Sequence, residues 1–81
     1  MISVLNQNGD TKLDITLYFK KKHTDTKYSI CTTDSANNVC YLASYSTQAQ
    51  CDEVFNYMIK WEQDLNTLIF CLPKDEPERY R

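Results

Sequence analysis

The chain has 81 residues, 42% of them hydrophobic, 25% charged and 12% aromatic, with nine Lys and Arg against eleven Asp and Glu for a formal net charge of −2. This length holds one domain with a small core, and the composition excludes a disordered or low-complexity chain. The acidic balance, with an isoelectric point near 5.2, removes the general attraction to nucleic acid and to anionic membranes.

The charge is uneven, +1 over residues 1–45 and −3 over residues 46–81. Met1–Asn6 offers neither the basic start nor the apolar stretch of a signal peptide. The apolar run Leu68–Leu72 falls far short of the roughly 20 residues of a membrane span. A cytoplasmic protein without membrane contact is expected.

In chain order, Ile2–Leu5 reads as a short strand, hairpinned across the turn signal Asn8-Gly9-Asp10. Leu13-Asp14-Ile15-Thr16-Leu17-Tyr18-Phe19-Lys20 alternates apolar and largely polar residues. That is the period of a half-buried strand, with Leu13, Ile15, Leu17 and Phe19 inward and Tyr18 outward. The polar stretch Lys21–Thr26 is expected as a loop, and the run Lys20-Lys21-Lys22 before His23 as solvated charge. Lys27–Thr33, rich in Tyr, Ile, Cys and Thr, suits a pleated surface. Asp34–Asn38 reads as a loop, because Asn and Asp bond their own backbone and tolerate left-handed conformations. Val39–Tyr45 then completes an antiparallel hairpin.

The period changes after Tyr45. Ser46-Thr47-Gln48-Ala49-Gln50 offers an N-cap hydroxyl with Gln50 at the spacing of a capping box. Asp52 and Glu53 are expected in the first turns, complementing the helix dipole. Cys51, Val54, Phe55, Met58, Trp61 and Leu65 form one apolar stripe, opposed by Asp52, Glu53, Asn56, Lys60, Gln63 and Asp64, which marks an amphipathic helix of about 18 residues. Asn66-Thr67 breaks it. Leu68–Leu72 is a buried strand or a short helix, with β-branched and aromatic content and Pro73 favouring a strand.

The expected fold is α+β: an antiparallel sheet of three to five strands in the order (β)βββαβ, packed on one amphipathic helix in two layers. Residues 1–73 form the domain, and residues 74–81 a frayed, charged C-terminal tail.

Catalytic patterns are missing. Gly9 is the only glycine, so phosphate-cradling and dinucleotide fingerprints are excluded. The paired carboxylates Asp52/Glu53, Glu62/Asp64 and Asp75/Glu76 fall on positions expected to be exposed, where nothing raises a pKa for acid–base work. The cysteines Cys31, Cys40, Cys51 and Cys71 are spaced 9, 11 and 20 apart, without the close pairs of a zinc knuckle. They read as small buried apolar side chains, Cys71 foremost among them for its place in an apolar run. Whether Cys31 and Cys40 pair under oxidation is left open. No catalytic residue, metal ligand or cofactor is assigned.

Six tyrosines stand out. Tyr18 lies on the outward parity of its strand, and Tyr41 and Tyr45 share one parity of theirs, while Tyr28 joins either face depending on register. Such residues pack as cross-strand pairs or form an interaction face, because Tyr gives large contact area at low entropy cost. The candidate partner-binding residues are Tyr18, Tyr41 and Tyr45 on the sheet, with Glu53 and Asp64 on the acidic helix face.

The order of strands, then Tyr45-Ser46-Thr47-Gln48-Ala49-Gln50, then an aromatic-bearing helix ending Met58-Ile59-Lys60-Trp61, resembles small phage-encoded anti-CRISPR proteins. The resemblance spans residues 13–65 and concerns layout, size and acidity. It implies a non-enzymatic inhibitor in the host cytoplasm that binds a bacterial CRISPR effector and blocks target-DNA binding or cleavage. The partner is then a protein, in that form a basic nucleic-acid-binding complex, met by the acidic half of the chain without direct nucleic-acid contact. The alternatives are a self-associating structural or accessory subunit of a cytosolic complex, and a Cys-dependent metal-binding regulator. Monomer and homodimer both remain open.

Overall fold

The computed structural model describes residues 1–64 and 68–80. Its first strand, β1 (Ile2–Leu5), returns through a turn to the antiparallel β2 (Lys12–Ile15), with Val4 opposite Leu13. Gly9 takes φ 77° in that turn, a conformation open to glycine because it has no Cβ to clash. Across the sequence from β2 lie β3 (Phe19–Thr24), β4 (Lys27–Thr33) and β5 (Val39–Tyr45), a second antiparallel sheet in the order β3-β4-β5. In the loop between β4 and β5, Asp34 Oδ1 accepts from the N–H groups of Ala36 and Asn38, both at 2.9 Å, and Asn37 takes φ 63°.

The helix α1 (Gln48–Gln63) follows. Thr47 is its N-cap, accepting from the Gln50 N–H at 3.3 Å. The Gln50 side chain leaves the expected capping box and serves the C-terminal segment instead. Asp52 and Glu53 lie beyond the first turn, which holds no acidic residue. Their partners are therefore side chains rather than the helix terminus: Lys20 for Asp52, and the Tyr80 hydroxyl for Glu53. Leu65 on the expected stripe and the breaker Asn66-Thr67 lie outside the described residues, as does Arg81.

Chain end and chain start then meet. The short β6 (Phe70–Cys71) pairs in parallel with β1, making the first sheet β2-β1-β6, and a 3-10 turn spans Pro77–Tyr80. One core joins the layers: Ile2, Val4 and Ile15 from the first sheet, Ile30, Leu42, Ala43 and Tyr45 from the second, Cys51, Val54 and Met58 from α1, and Leu72. The α+β class is as expected, with one α-helix among the described residues. In place of a single antiparallel sheet of three to five strands, however, there are six strands in two three-stranded sheets, and the β1–β6 pair is parallel.

That division corrects the reading of residues 13–20 as one strand. Thr16-Leu17-Tyr18 carries the chain from one sheet to the other, and the Leu17 carbonyl accepts from Thr32 Oγ1 at 2.6 Å. Ile15 alone of the four expected inward residues is fully buried; Leu13 is 38% and Leu17 56% exposed, and Phe19 is half-buried. The expected loop Lys21–Thr26 is mostly β3, whose residues after Phe19 are all exposed. An edge strand needs no buried alternation to form, because its neighbour supplies the hydrogen bonds.

Two further corrections concern the C-terminus. Cys71 is exposed, since the strand alternates and it is Leu72 that enters the core. Residues 74–80 are tied down rather than frayed. Gln50 Nε2 donates to the Lys74 carbonyl and Gln50 Oε1 accepts from the Glu76 N–H, each at 2.9 Å. Asp75 accepts from the Ser46 N–H and hydroxyl, and Tyr80 donates to Glu53.

Candidate interaction surface

The second sheet has two unlike faces. Residues opposite each other on neighbouring strands share a face, so Ile30, Ala43, Tyr28 and Tyr45 lie together on the side covered by α1. Ser29 and Cys31 lie on the other, with Tyr41 and Phe19 beside Cys31 and Ser44 and Lys21 beside Ser29. No helix covers that outer side among the described residues, yet Ser29 and Cys31 are fully buried.

Two aromatic side chains meet on this side. The rings of His23 and Tyr41 stack with centroids 4.1 Å apart and planes 14° from parallel. His23 comes from β3 and Tyr41 from β5, so the pair spans β4, which lies between them. On the same face the Ser29 and Ser44 hydroxyls bond at 3.1 Å. Burial pushes the Cys31 thiol pKa up, opposed by the nearby Lys21 ammonium. Val39, two residues before Tyr41 on the same face, is also exposed. The outer face thus presents Phe19, His23, Val39 and Tyr41 with Lys21 among them.

The lysine run has its own geometry. Lys20 Nζ sits 3.0 Å from Asp52 and 5.2 Å from the Phe55 ring centroid, and Lys22 lies over Tyr28 at 5.9 Å. Between β3 and the start of α1 the three lysines line a shallow cleft of about 240 Å³ with Tyr28, Gln48, Cys51 and Asp52. One of its cations is already neutralised by Asp52.

The five candidate residues are not brought together. Tyr41, 44% exposed, stands on the outer face. Tyr45 is fully buried and donates to the Pro73 carbonyl at 2.8 Å, which removes it from any contact surface. Tyr18, expected outward, is half-buried; its hydroxyl donates to Glu62 at 3.1 Å and its ring meets Phe55 edge-on at 5.5 Å. Glu53 is half-buried under Tyr80, and Asp64 is exposed at the C-cap of α1. Sequence reasoning missed His23 and Val39. The parity Phe19, Lys21, His23 was available to find the first, once Lys21–Thr26 is read as strand rather than loop.

Among the described residues no three His, Cys, Asp or Glu side chains are grouped to hold a metal ion, and no helix is long and apolar enough to cross a membrane. All four thiols are unpaired, Cys31 and Cys51 buried. Comparison with protein-family models, curated proteins and solved structures gives no match.

Proposed function

We propose that the protein acts by binding another protein through the outer face of its second sheet. The observation that carries this reading is the exposed Tyr41–His23 stack on a sheet face that α1 leaves bare. A solvated sheet face ordinarily alternates to polar residues. Here Val39 and Tyr41 stay exposed beside half-buried Phe19, on paired strands. Pre-stacked rings lose little entropy on contact and offer the large flat area typical of binding hot spots.

A protein suits this face better than nucleic acid. The chain is net acidic, and Tyr41 and His23 already spend one ring face on each other, leaving less for base stacking. In its most specific form, supported by the resemblance in layout and acidity, the partner is a cytoplasmic CRISPR effector blocked in DNA binding or cleavage. Asp64, at the C-cap of α1 on the other side of the sheet, adds to the acidic field that steers a basic partner and raises the association rate.

Target cleavage by purified effector complexes, with and without the protein, tests the specific form. Inhibition by the wild type that Tyr41→Ala lacks supports it, and no effect at large excess removes it. Affinity capture from host lysate with wild-type and Tyr41→Ala baits tests the surface. A partner held equally by both baits overturns the outer-face reading.

A further inference from the structure

The two sheets have four edges, and three are protected against pairing. The β3 edge carries Lys20, Lys21 and Lys22 and a register shift at His23, both devices that discourage strand addition. The β5 edge is occupied at Ser44 by the Gln7 side chain, whose Oε1 accepts from the Ser44 N–H at 2.9 Å and whose Nε2 donates to its carbonyl at 3.1 Å. The β6 edge is two residues long. The four-residue β2 edge also carries charge, but of alternating sign: Lys12 and Asp14 stand on either side of Leu13, all three exposed, so an antiparallel copy meets opposite rather than like charges.

The phase of its hydrogen bonds follows from its partner. The Asn6 N–H donates to the Thr11 carbonyl at 3.0 Å, so Asn6 with Thr11 and Val4 with Leu13 are hydrogen-bonded pairs of the β1–β2 ladder. Lys12 and Asp14 belong to the alternate pairs and turn their N–H and C=O groups away from β1. Their side chains flank Leu13 with opposite charges, 4.0 Å apart within the chain, and Asp14 also accepts from the Ser3 hydroxyl, so in the dimer each exchanges or shares these exposed contacts with its counterpart.

We infer that a second copy of this chain adds to the β2 edge, antiparallel and two-fold symmetric about Leu13. That register sets Lys12 opposite Asp14 of the second copy and Asp14 opposite its Lys12. The outward N–H and C=O groups of both residues meet partners, and the two Leu13 side chains face each other at a close, non-hydrogen-bonded position. The neighbouring symmetric registers, centred on residue 12 or residue 14, place Lys12 against Lys12 or Asp14 against Asp14 and are disfavoured. The result is a continuous six-stranded sheet, β6-β1-β2 joined to its symmetry mate. The contact is small, so the dimer is weak and populates at concentrations approaching ~1 mM. This inference goes beyond the partner reading, and although Leu13 and Tyr41 line one cavity, it rests on Lys12 and Asp14, which lie outside that cavity.

Sedimentation velocity over a concentration series at low salt tests it. The wild type self-associates, and Lys12→Asp and Asp14→Lys, each alone, weaken association by roughly tenfold or more, since each places two like-charged pairs across the two-fold. An equimolar mixture of the two variants associates again, because the heterodimer pairs Asp with Lys at both positions. Should a single variant lose its fold by circular dichroism, the exchange Lys12→Asp/Asp14→Lys, which preserves complementarity, retains association. A wild type that stays monomeric at ~1 mM, single variants that associate like the wild type, or a mixture that fails to associate each overturn the inference. None of these variants touches Tyr41, so their outcome leaves the partner reading standing.

Discussion

Tyr41 and Tyr45 stand on one strand, four positions apart, and face opposite sides of the sheet. Ile30 pairs with Ala43 while its neighbour Cys31 pairs with Tyr41, so Leu42 is an extra residue on β5. A bulge of this kind resets the alternation of side chains beyond it. Leu42 and Ala43 are consequently both buried in succession, Tyr45 enters the core, and Tyr41 is left outside to stack on His23.

Tyr45 therefore acts through stability. Tyr45→Phe loses the bond to the Pro73 carbonyl, which keeps its second donor, Gln7 Nε2 at 3.1 Å, and costs about 1 kcal/mol. Tyr45→Ala opens a cavity and costs about 3–5 kcal/mol. Urea unfolding measures both, and a Tyr45→Phe loss as large as that of Tyr45→Ala contradicts the assignment.

On α1, Met58 is fully buried and Phe55 is half-buried against Tyr18. Met58→Ala is expected to cost about 2–5 kcal/mol, because the side chain is enclosed and leaves a void. Phe55→Ala costs less, about 1–3 kcal/mol, since part of the ring already meets water. The reverse order in chemical denaturation places the packing centre of the helix elsewhere.

Gln50 is buried in the first turn of α1 and holds both the Lys74 carbonyl and the Glu76 N–H. Gln50→Leu leaves those backbone groups unpaired, at about 1–3 kcal/mol. Amide exchange at Glu76 should then speed up with the rest of the core still protected. Uniform protection in the variant means that the segment is held by other contacts.

Thiol labelling should follow exposure. Cys71 reacts first, Cys40 more slowly, and Cys31 and Cys51 only on unfolding. Burial raises both buried thiols, Cys51 from 9.0 to about 11, which keeps them protonated and unreactive. Rapid labelling of Cys31 in the native protein means that the outer face of β4 opens readily.

The same groups give a pH dependence. Burial also raises Tyr18, aided by its bond to Glu62, from 10.0 to about 12, and raises Tyr45. Each of these groups ionises more readily in the unfolded chain, so its contribution to stability is complete below the unfolded value and is lost as pH rises through the folded one. The melting temperature should fall from about pH 9 upward, the thiols acting first and the tyrosines beyond pH 10. Cys51→Ala should flatten the fall between pH 9 and pH 11. A melting temperature constant between pH 9 and pH 11 rules out a buried, neutral Cys51.

What the amino-acid sequence determined by itself was local. The Thr47 cap and apolar stripe of α1, the Asp34–Asn38 loop with its flanking strands, and the Gly9 turn depend on neighbours a few residues away, whose hydrogen bonds and periodicity are written in the chain. The tertiary structure alone decided the rest. The Leu42 bulge, the crossing of Thr16–Tyr18 between sheets, the exposure of Leu13, Leu17 and Cys71, and the anchoring of residues 74–80 on Gln50 all turn on distant partners. Alternation says that a strand has two faces, but which face is buried, and where one sheet ends and the next begins, is set by the elements that pack against it.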